Sequence, residues 1–321
     1  MRTILVTGGA GFLGSHVTEA LLGRGDRVVV LDNFDSFYDP AIKRGNVAPF
    51  LPRPQYRLYE GDLRDGEGLR ELLDAVRPDA VVHLAALAGV RPSIADPERY
   101  AEVNVLGTIR LLEALRRRPV PFVFGSSSSV YGARDSIPFR EDDPCGTPES
   151  PYAATKRAGE IHAYVYHRLY RVPTVCLRFF TVYGPRQRPE MAIHDFTRRI
   201  EEGLAVPLLG DGSSRRDYTY VEDAVRGMLA ALEGREGFEI VNLGGAKPIA
   251  LSALVEAIGR ALGREPRIEV HPPAPGDVPV TCADLTKARA LLGYAPRVSL
   301  EAGLARFVEW YRTCTARRGK G

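Results

Sequence analysis

The chain has little charge of either sign to spare. Its 43 Lys and Arg nearly balance 40 Asp and Glu, leaving a formal net charge of +3 over 321 residues. That balance gives no argument for a nucleic-acid partner, and fits a small anionic substrate only weakly. Cysteine is sparse. Cys145, Cys176, Cys282 and Cys314 are widely scattered. No CxxC pair or Cys/His cluster offers a metal site, and reduced thiols are expected. No apolar run reaches membrane-spanning length, so no membrane partner is expected. The opening stretch TILVTGG enters a strand at once and leaves no room for a signal peptide; the expected location is cytoplasmic. Internal repeats and low-complexity linkers are also missing.

What is present reads as a soluble globular chain, 45% hydrophobic and 26% charged, long enough to bury a large core. Short apolar runs alternate with helical patterns. TILVT, RVVVLD, DAVVHLAA, PFVFGSS and PTVCLRFF read as buried strands. AGFLGSHVTEALLGRG, GEGLRELLDAV, AEVNVLGTIRLLEALRRR and PYAATKRAGEIHAYVYHRLY read as helices between them. The alternation predicts an α/β fold, a Rossmann-type doubly wound parallel sheet. After about residue 181 the pattern loosens into Gly-, Pro- and Arg-rich stretches with short helices, which predicts a smaller C-terminal α/β substrate domain. FEIVNLGG reads as a strand returning to the large sheet. The expected division is therefore 1–180 plus about 217–245 for the dinucleotide-binding domain, and 181–216 plus about 246–321 for the substrate domain.

TGGAGFLG places Gly8, Gly11 and Gly14 between the first strand and the first helix. Glycines there let the backbone approach a pyrophosphate, and the helix N-terminus favours its charge. The strand before and helix after supply the context that a glycine pattern alone lacks. Asp32 ends the second strand, where a carboxylate can accept from both adenosine ribose hydroxyls and repel a 2′-phosphate, so NAD is expected rather than NADP. Asp62, in EGDLRD, stands after a strand-like stretch. It could reach adenine or merely cap the next helix.

Tyr152 and Lys156 stand four apart in PYAATKRAGE, so on a helix both can enter one cleft. A nearby ammonium favours phenolate, which makes Tyr152 a base usable near neutral pH. Such a pair is common, and the upstream fingerprint is what gives it weight.

TGGAGFLG, Asp32, SSSSVYG and YAATK, in that order, resemble the extended short-chain dehydrogenase/reductase family, and in particular its nucleotide-sugar epimerases. NVLGT, RRDYTYVED and PGDV also fit, so the resemblance runs along essentially the whole chain. It implies a bound NAD. It extends the expected cofactor contacts to Phe12, Leu13, Asn33, Leu63, Leu84, Ala85, Ala86, Asn104 and Phe179, besides Tyr152 and Lys156. It implies that Tyr152 removes the sugar 4-hydroxyl proton, that Ser127 hydrogen-bonds the reacting oxygen, and that Lys156 holds the base poised. A 4-keto intermediate would turn over in the site and take its hydride back on the other face. A homodimer is also implied, pairing the helices near 99–117 and 151–170.

The serine run then matters for what it lacks. Family dehydratases resemble Thr-Asp-Glu-Val-Tyr-Gly here and decarboxylases Thr-Ser-Glu-Val-Tyr-Gly. This chain has Ser127-Ser128-Ser129-Val130-Tyr131-Gly132, with no acid beside the sugar. Reversible epimerisation is the reaction left, although the extra hydroxyls could simply bond strand-end backbone. FFTVYGPRQRPEMA is similar to the uronic-acid branch, the UDP-glucuronate 4-epimerases, and carries Arg188 where many neutral-sugar relatives have Asp. Arg188 is expected to pair with the C6 carboxylate, helped by Thr181, Ser128 and Ser129. Arg216 and Arg91 are expected at the diphosphate and Asp277 at the uridine ribose. Ala274 departs from the arginine many epimerases carry near Pro-Gly-Asp. The alternatives are a 4-epimerase of a neutral UDP-hexose or UDP-N-acetylhexosamine and, further off, a UDP-glucuronate decarboxylase.

Overall fold

In the computed structural model, which describes residues 1–134, 136–233, 236–272 and 278–318, the run TILVT forms the strand Thr3–Thr7. Six further runs join it in one sheet. Their order is Phe238–Leu243, Thr174–Phe179, Phe122–Ser127, Ala80–His83, Thr3–Thr7, Arg27–Asp32, Tyr56–Glu60. Every neighbouring pair is parallel. The expected doubly wound α/β sheet is therefore present, and FEIVNLGG does return to its edge beside Thr174–Phe179. These strands are apolar almost throughout because both faces are covered. Ile4 and Val6 pack into one core cluster while Leu5, pointing the other way, packs into a second.

Chain order reverses at Thr3–Thr7. Successive strands are laid down outward on one side, then outward on the other. At such a reversal the loops after adjacent strands diverge and leave a crevice at the carboxyl ends. That crevice is where the chemistry-bearing motifs arrive.

One expected helix is interrupted. Instead of a single α-helix across AEVNVLGTIRLLEALRRR, the chain forms Pro97–Tyr100, a π-helical stretch Ala101–Leu106, and Gly107–Leu115. The wider turn lets Asn104 point inward. Its amide accepts from the Leu87 N–H at 2.8 Å and donates to the Leu87 carbonyl at 2.9 Å and to the Thr155 hydroxyl at 3.0 Å. Periodicity alone does not reveal an added residue per turn.

Beyond Thr181 the chain builds a three-stranded sheet, ordered Pro248–Ala250, Arg215–Tyr220, Thr181–Tyr183, and pairs Ile268–His271 with Val206–Leu209. Two fully buried carboxylates in RRDYTYVED tie this part together. Asp217 accepts from the N–H groups of Gly245 at 2.8 Å, Ala246 at 3.0 Å and Ala283 at 2.9 Å. Asp223 accepts from those of Arg297 and Val298, each at 3.1 Å. Backbone groups in buried loops must find partners, and these side chains supply them. Replacing Asp217 by Ala strands three donors, so the variant should lose about 3 kcal/mol or more of stability. Denaturant unfolding of the two proteins measures the difference.

Candidate active site

The crevice is lined from the carboxyl ends of the sheet strands. Gly8 follows the first strand with φ +71°, and a Cβ on it would lie 2.6 Å from the Ala85 nitrogen. A Cβ on Gly14 would strike the Gly8 carbonyl. Only glycines let the loop after the first strand press against the loop after Ala80–His83, and the first helix, Phe12–Gly23, press against that glycine loop. No side chain caps that helix, whose Gly11, Phe12 and Leu13 line the cleft. An uncapped helix N-terminus opening into a cleft suits a diphosphate.

Asp32 is buried and lines the same cleft. It also accepts from the N–H groups of Ala10 at 3.0 Å and Phe34 at 2.9 Å, so it fastens the glycine loop as well as facing the cleft. Burial pushes its carboxyl above the usual range, and those two bonds pull it back. Asp62 does not cap the next helix: Asp65 does, accepting from Glu67 and Gly68. Asp62 instead pairs with Arg64 at 2.9 Å, accepts from Asn33 at 2.9 Å, and faces the cleft with Asn33 and Leu63. Hydrogen bonds from Arg64 hold its carboxyl down at about 2. Leu84, Ala85, Ala86 and Phe179 also line the cleft.

Ser150 and Pro151 start the helix Pro151–Tyr170, with the Ser150 hydroxyl accepting from the Ala153 N–H. Tyr152 therefore sits in the first turn, where the helix dipole favours an anion. Its ring packs edge-on to Tyr100, with centroids 6.4 Å apart. Burial raises its ionisation above the ordinary phenol value, and a hydrogen bond with Ser127 and the charge of Arg188 lower it. Lys156 shares its helix face and is buried. The family resemblance implies that Lys156 poises the phenol. In the structure its ammonium donates to the Gly125 carbonyl at 2.6 Å, and a bond with Ser127 and the charge of Arg188 favour the Tyr152 phenolate. Burial lowers Lys156 to about 8, opposed by Glu160.

The serine run leaves the sheet as a short turn, Ser128–Tyr131, after Phe122–Ser127. The Ser127 hydroxyl accepts from the Ser129 N–H at 3.2 Å and donates to the Ser129 hydroxyl at 3.0 Å. Ser127, Ser128 and Ser129 all face the cleft, together with Thr181 and Arg188. Asp32, Asp35 and Asp62 are the carboxylates that line it among the described residues, and none comes from this turn.

Arg188 is held by a braced loop. His16 donates to the Pro185 carbonyl at 2.8 Å, Arg186 pairs with Glu19 at 2.7 Å, and His194 donates to the Gln187 carbonyl at 2.7 Å. The guanidinium lies 5.5 Å from the Phe37 ring centroid and pairs with Glu190 at 3.0 Å. Four of its five N–H groups can still serve another acceptor.

Some expected contacts fall elsewhere. Asn104 is a brace behind the cleft, not a lining residue; its amide is spent on Leu87 and Thr155. Arg91 is exposed on the helix Val90–Ala95, outside the cleft. Arg216 lies on the strand Arg215–Tyr220, where it donates to the Arg215 carbonyl at 3.0 Å, also outside the cleft. Asp277 and Ala274 lie outside the described residues. Conversely, Phe37, Tyr38 and Lys43 line the cleft, as does Ser126, and sequence reasoning missed them. The aromatic pair in DNFDSFYDP, just after Asp32, was the available signal.

Residues 4–244 match the NAD dependent epimerase/dehydratase family. The chain belongs to that family. It is 43% identical over 96% of its length to UDP-glucuronate 4-epimerase 5 of Arabidopsis thaliana, covering 75% of that protein. It superimposes with a TM-score of 0.92 on UDP-glucuronic acid 4-epimerase from Bacillus cereus, solved in complex with UDP-glucuronic acid and NAD, at 37% identity over 97% of this chain and 99% of that one. The TM-score to dTDP-glucose 4,6-dehydratase from Streptomyces venezuelae is also 0.92, at 36% identity over 98% of each chain. The backbone thus places the chain in the family without choosing the reaction, which falls to the side chains in the cleft.

The Lys156 position gives a pH expectation. A charged Lys156 persists below about 8 and is lost as pH rises through that value. kcat/KM should therefore fall on the alkaline side with that midpoint, and Lys156→Met should both lower the rate and flatten that limb. A pH–rate series on the two proteins checks it.

Proposed function

We propose that the protein interconverts UDP-glucuronate and UDP-galacturonate by NAD-dependent epimerisation at C4. One observation carries this reading. A hydroxyl-lined, acid-free serine turn and an arginine face the same cleft as Tyr152. NAD, held by the glycine loop, Asp32 and the residues beside Asp62, would supply the hydride acceptor and donor and a positive charge that favours the phenolate. The fit rests on the uncapped helix and the glycine-only contact at Ala85.

The chain's own part is acid–base chemistry and restraint. Tyr152 takes the proton of the 4-hydroxyl and returns it to the same oxygen when the hydride comes back to the opposite face of C4. Ser127, which acts on the Tyr152 phenol, holds the reacting oxygen. Lys156 contributes a buried positive charge behind the base. Arg188, Thr181, Ser128 and Ser129 hold the C6 carboxylate. That restraint matters because a 4-keto uronate is a β-keto acid. It loses CO2 when the bond to the carboxyl carbon lies parallel to the carbonyl π system. A clamp that turns the carboxylate away from that alignment, beside a serine turn with no acid to protonate C5, leaves return of the hydride as the open course. A neutral UDP-hexose would use the same base but leave Arg188 without a substrate partner.

The same reading divides the chain into a dinucleotide-binding part, 1–180 with about 217–245, and a sugar-nucleotide part. Among the described residues no helix is long and apolar enough to cross a membrane. The four cysteines are free, which supports a cytoplasmic setting. We also assign a homodimer. On the helix Pro151–Tyr170, Ile161, Val165 and Leu169 are spaced four apart and exposed, beside exposed Leu106. A contiguous apolar face of that kind fits a two-fold contact.

Incubating purified protein with UDP-glucuronate and with UDP-glucose, then separating products, tests the reaction. Conversion of UDP-glucuronate to UDP-galacturonate is expected. Release of a UDP-pentose would show decarboxylation instead, and turnover of UDP-glucose alone would exclude the uronate assignment. Arg188→Met should raise KM for UDP-glucuronate about tenfold to a hundredfold, the worth of a charge-assisted pair. For the dimer, sedimentation at micromolar concentration should give two chains per particle, and Val165→Glu should give one.

A further inference from the structure

The cleft's serine turn and its lysine share a buried neighbour that the proposed reaction does not use. Glu160 follows Tyr152 and Lys156 at the same four-residue spacing, so all three lie along one helix face. Its side chain is fully buried. One carboxylate oxygen accepts from the Ser126 hydroxyl at 2.6 Å and from Arg178 at 2.8 Å. The other accepts from Arg178 and from Arg157, each at 2.9 Å. Ser126 and Arg178 are register partners on adjacent strands. Glu160 thus reaches down from the helix and grips two neighbouring strands at the point where the serine turn begins.

We propose that Glu160 is a positioning residue for this reaction: it aims the Ser127 hydroxyl by anchoring Ser126, and it balances the charge of Lys156. The inference rests on the roles proposed above for Ser127 and Lys156. Lys156, Arg157 and Arg178 are three cations gathered about one carboxylate. The other groups facing Lys156 carry no negative charge. They are the Gly125 carbonyl, the Phe124 ring at 5.2 Å, Tyr152, whose phenol burial keeps protonated in the free protein, and His83, which burial keeps neutral by lowering it to about 3. From the strand Thr174–Phe179, Cys176 is held as a neutral thiol by burial, and Cys145 is pushed the same way. Tyr131, beneath the Arg178 guanidinium at 4.6 Å, is kept un-ionised by burial. Glu141 meets Arg178 through its backbone carbonyl, while its carboxylate accepts from the Asn242 N–H. Burial opposes the charge on Glu160, but the bonds from Arg178, Ser126 and Arg157 hold its carboxyl below the usual range. With Glu160 neutral, Arg178 would face Lys156 across an interior that screens charge poorly, and the ammonium would give up its proton at lower pH.

The experiment is a pH–rate series with UDP-glucuronate, and with UDP-glucose in parallel, on the wild-type protein, Glu160→Gln, Ser126→Ala and the double variant Glu160→Leu/Arg178→Met. Thermal unfolding is followed for each. Glu160→Gln should move the alkaline limb down by about one pH unit. The double variant removes one anion together with one cation, and takes away the Ser126 acceptor. It should keep the limb near its wild-type position while kcat falls about tenfold. Ser126→Ala should lower kcat and leave the limb alone. A folded Glu160→Gln protein with an unmoved limb overturns the charge-balancing role. If that variant does not fold, the double variant decides: wild-type kcat, or a limb displaced downward, overturns the proposal. The wild-type protein's choice between the two substrates reports separately on the proposed reaction, and the shifts among variants can be read with whichever sugar it accepts.

Discussion

Parallel strands deliver all their carboxyl ends to one edge of a sheet, and the remaining features of this protein depend on that constraint. Seven strands do so here, with the order of deposition reversing at Thr3–Thr7. The reversal opens a crevice at the carboxyl ends of Thr3–Thr7 and Ala80–His83, and Gly8 and Gly14 let the loop after the first strand lie against the loop after Ala80–His83 and against the first helix with backbone alone. Residues from Gly8 to Arg188, remote along the chain, then converge on one crevice. A strand order without that reversal would have brought the same motifs to the same edge with no space between them.

Within the crevice, charge is sorted along its length. The lining carboxylates come from the end of the second strand and from the loops that follow the second and third strands, where Asp32 is held by backbone and Asp62 by Arg64. The serine turn contributes hydroxyls only, opposite a cation whose loop is braced by His16, Glu19 and His194. This separation fits a reaction in which an oxidised uronate must keep its carboxyl group. In the proposed reaction the arginine would restrain the carboxylate, and the serine turn carries no acid that could protonate the adjacent carbon. The equal TM-scores to an epimerase and a dehydratase illustrate that one backbone serves both reactions.

The buried ionic layer behind the cleft was poorly legible. PTVCLRFF reads as an apolar strand with one charged residue, and charged residues are rarely buried without a partner. Arg178 announces that it needs one. Its partner, Glu160, sits eighteen residues earlier on a helix, and local periodicity cannot pair them. The same limit hid Phe37, Tyr38 and Lys43, which reach the cleft because Lys43 and Arg99 bind the loop at Asp35. It also misplaced Asn104, whose inward turn comes from a π-helical stretch that no spacing rule anticipates.

Local patterns decided the alternation of strands and helices, the glycine loop before a helix, the carboxylate ending the second strand, and the four-residue spacing of Tyr152 and Lys156. Each is a short-range property, set by backbone freedom, side-chain direction and burial over a few residues. Packing decided which groups act on which. It took the Lys156 ammonium to a backbone carbonyl and gave the phenol Ser127 and Arg188 as neighbours. It left Arg91 and Arg216 outside the cleft and set Glu160 among three cations. Electrostatic partners are chosen by distance and burial in space, and those exist only once the helix, the strands and the loops have closed on one another.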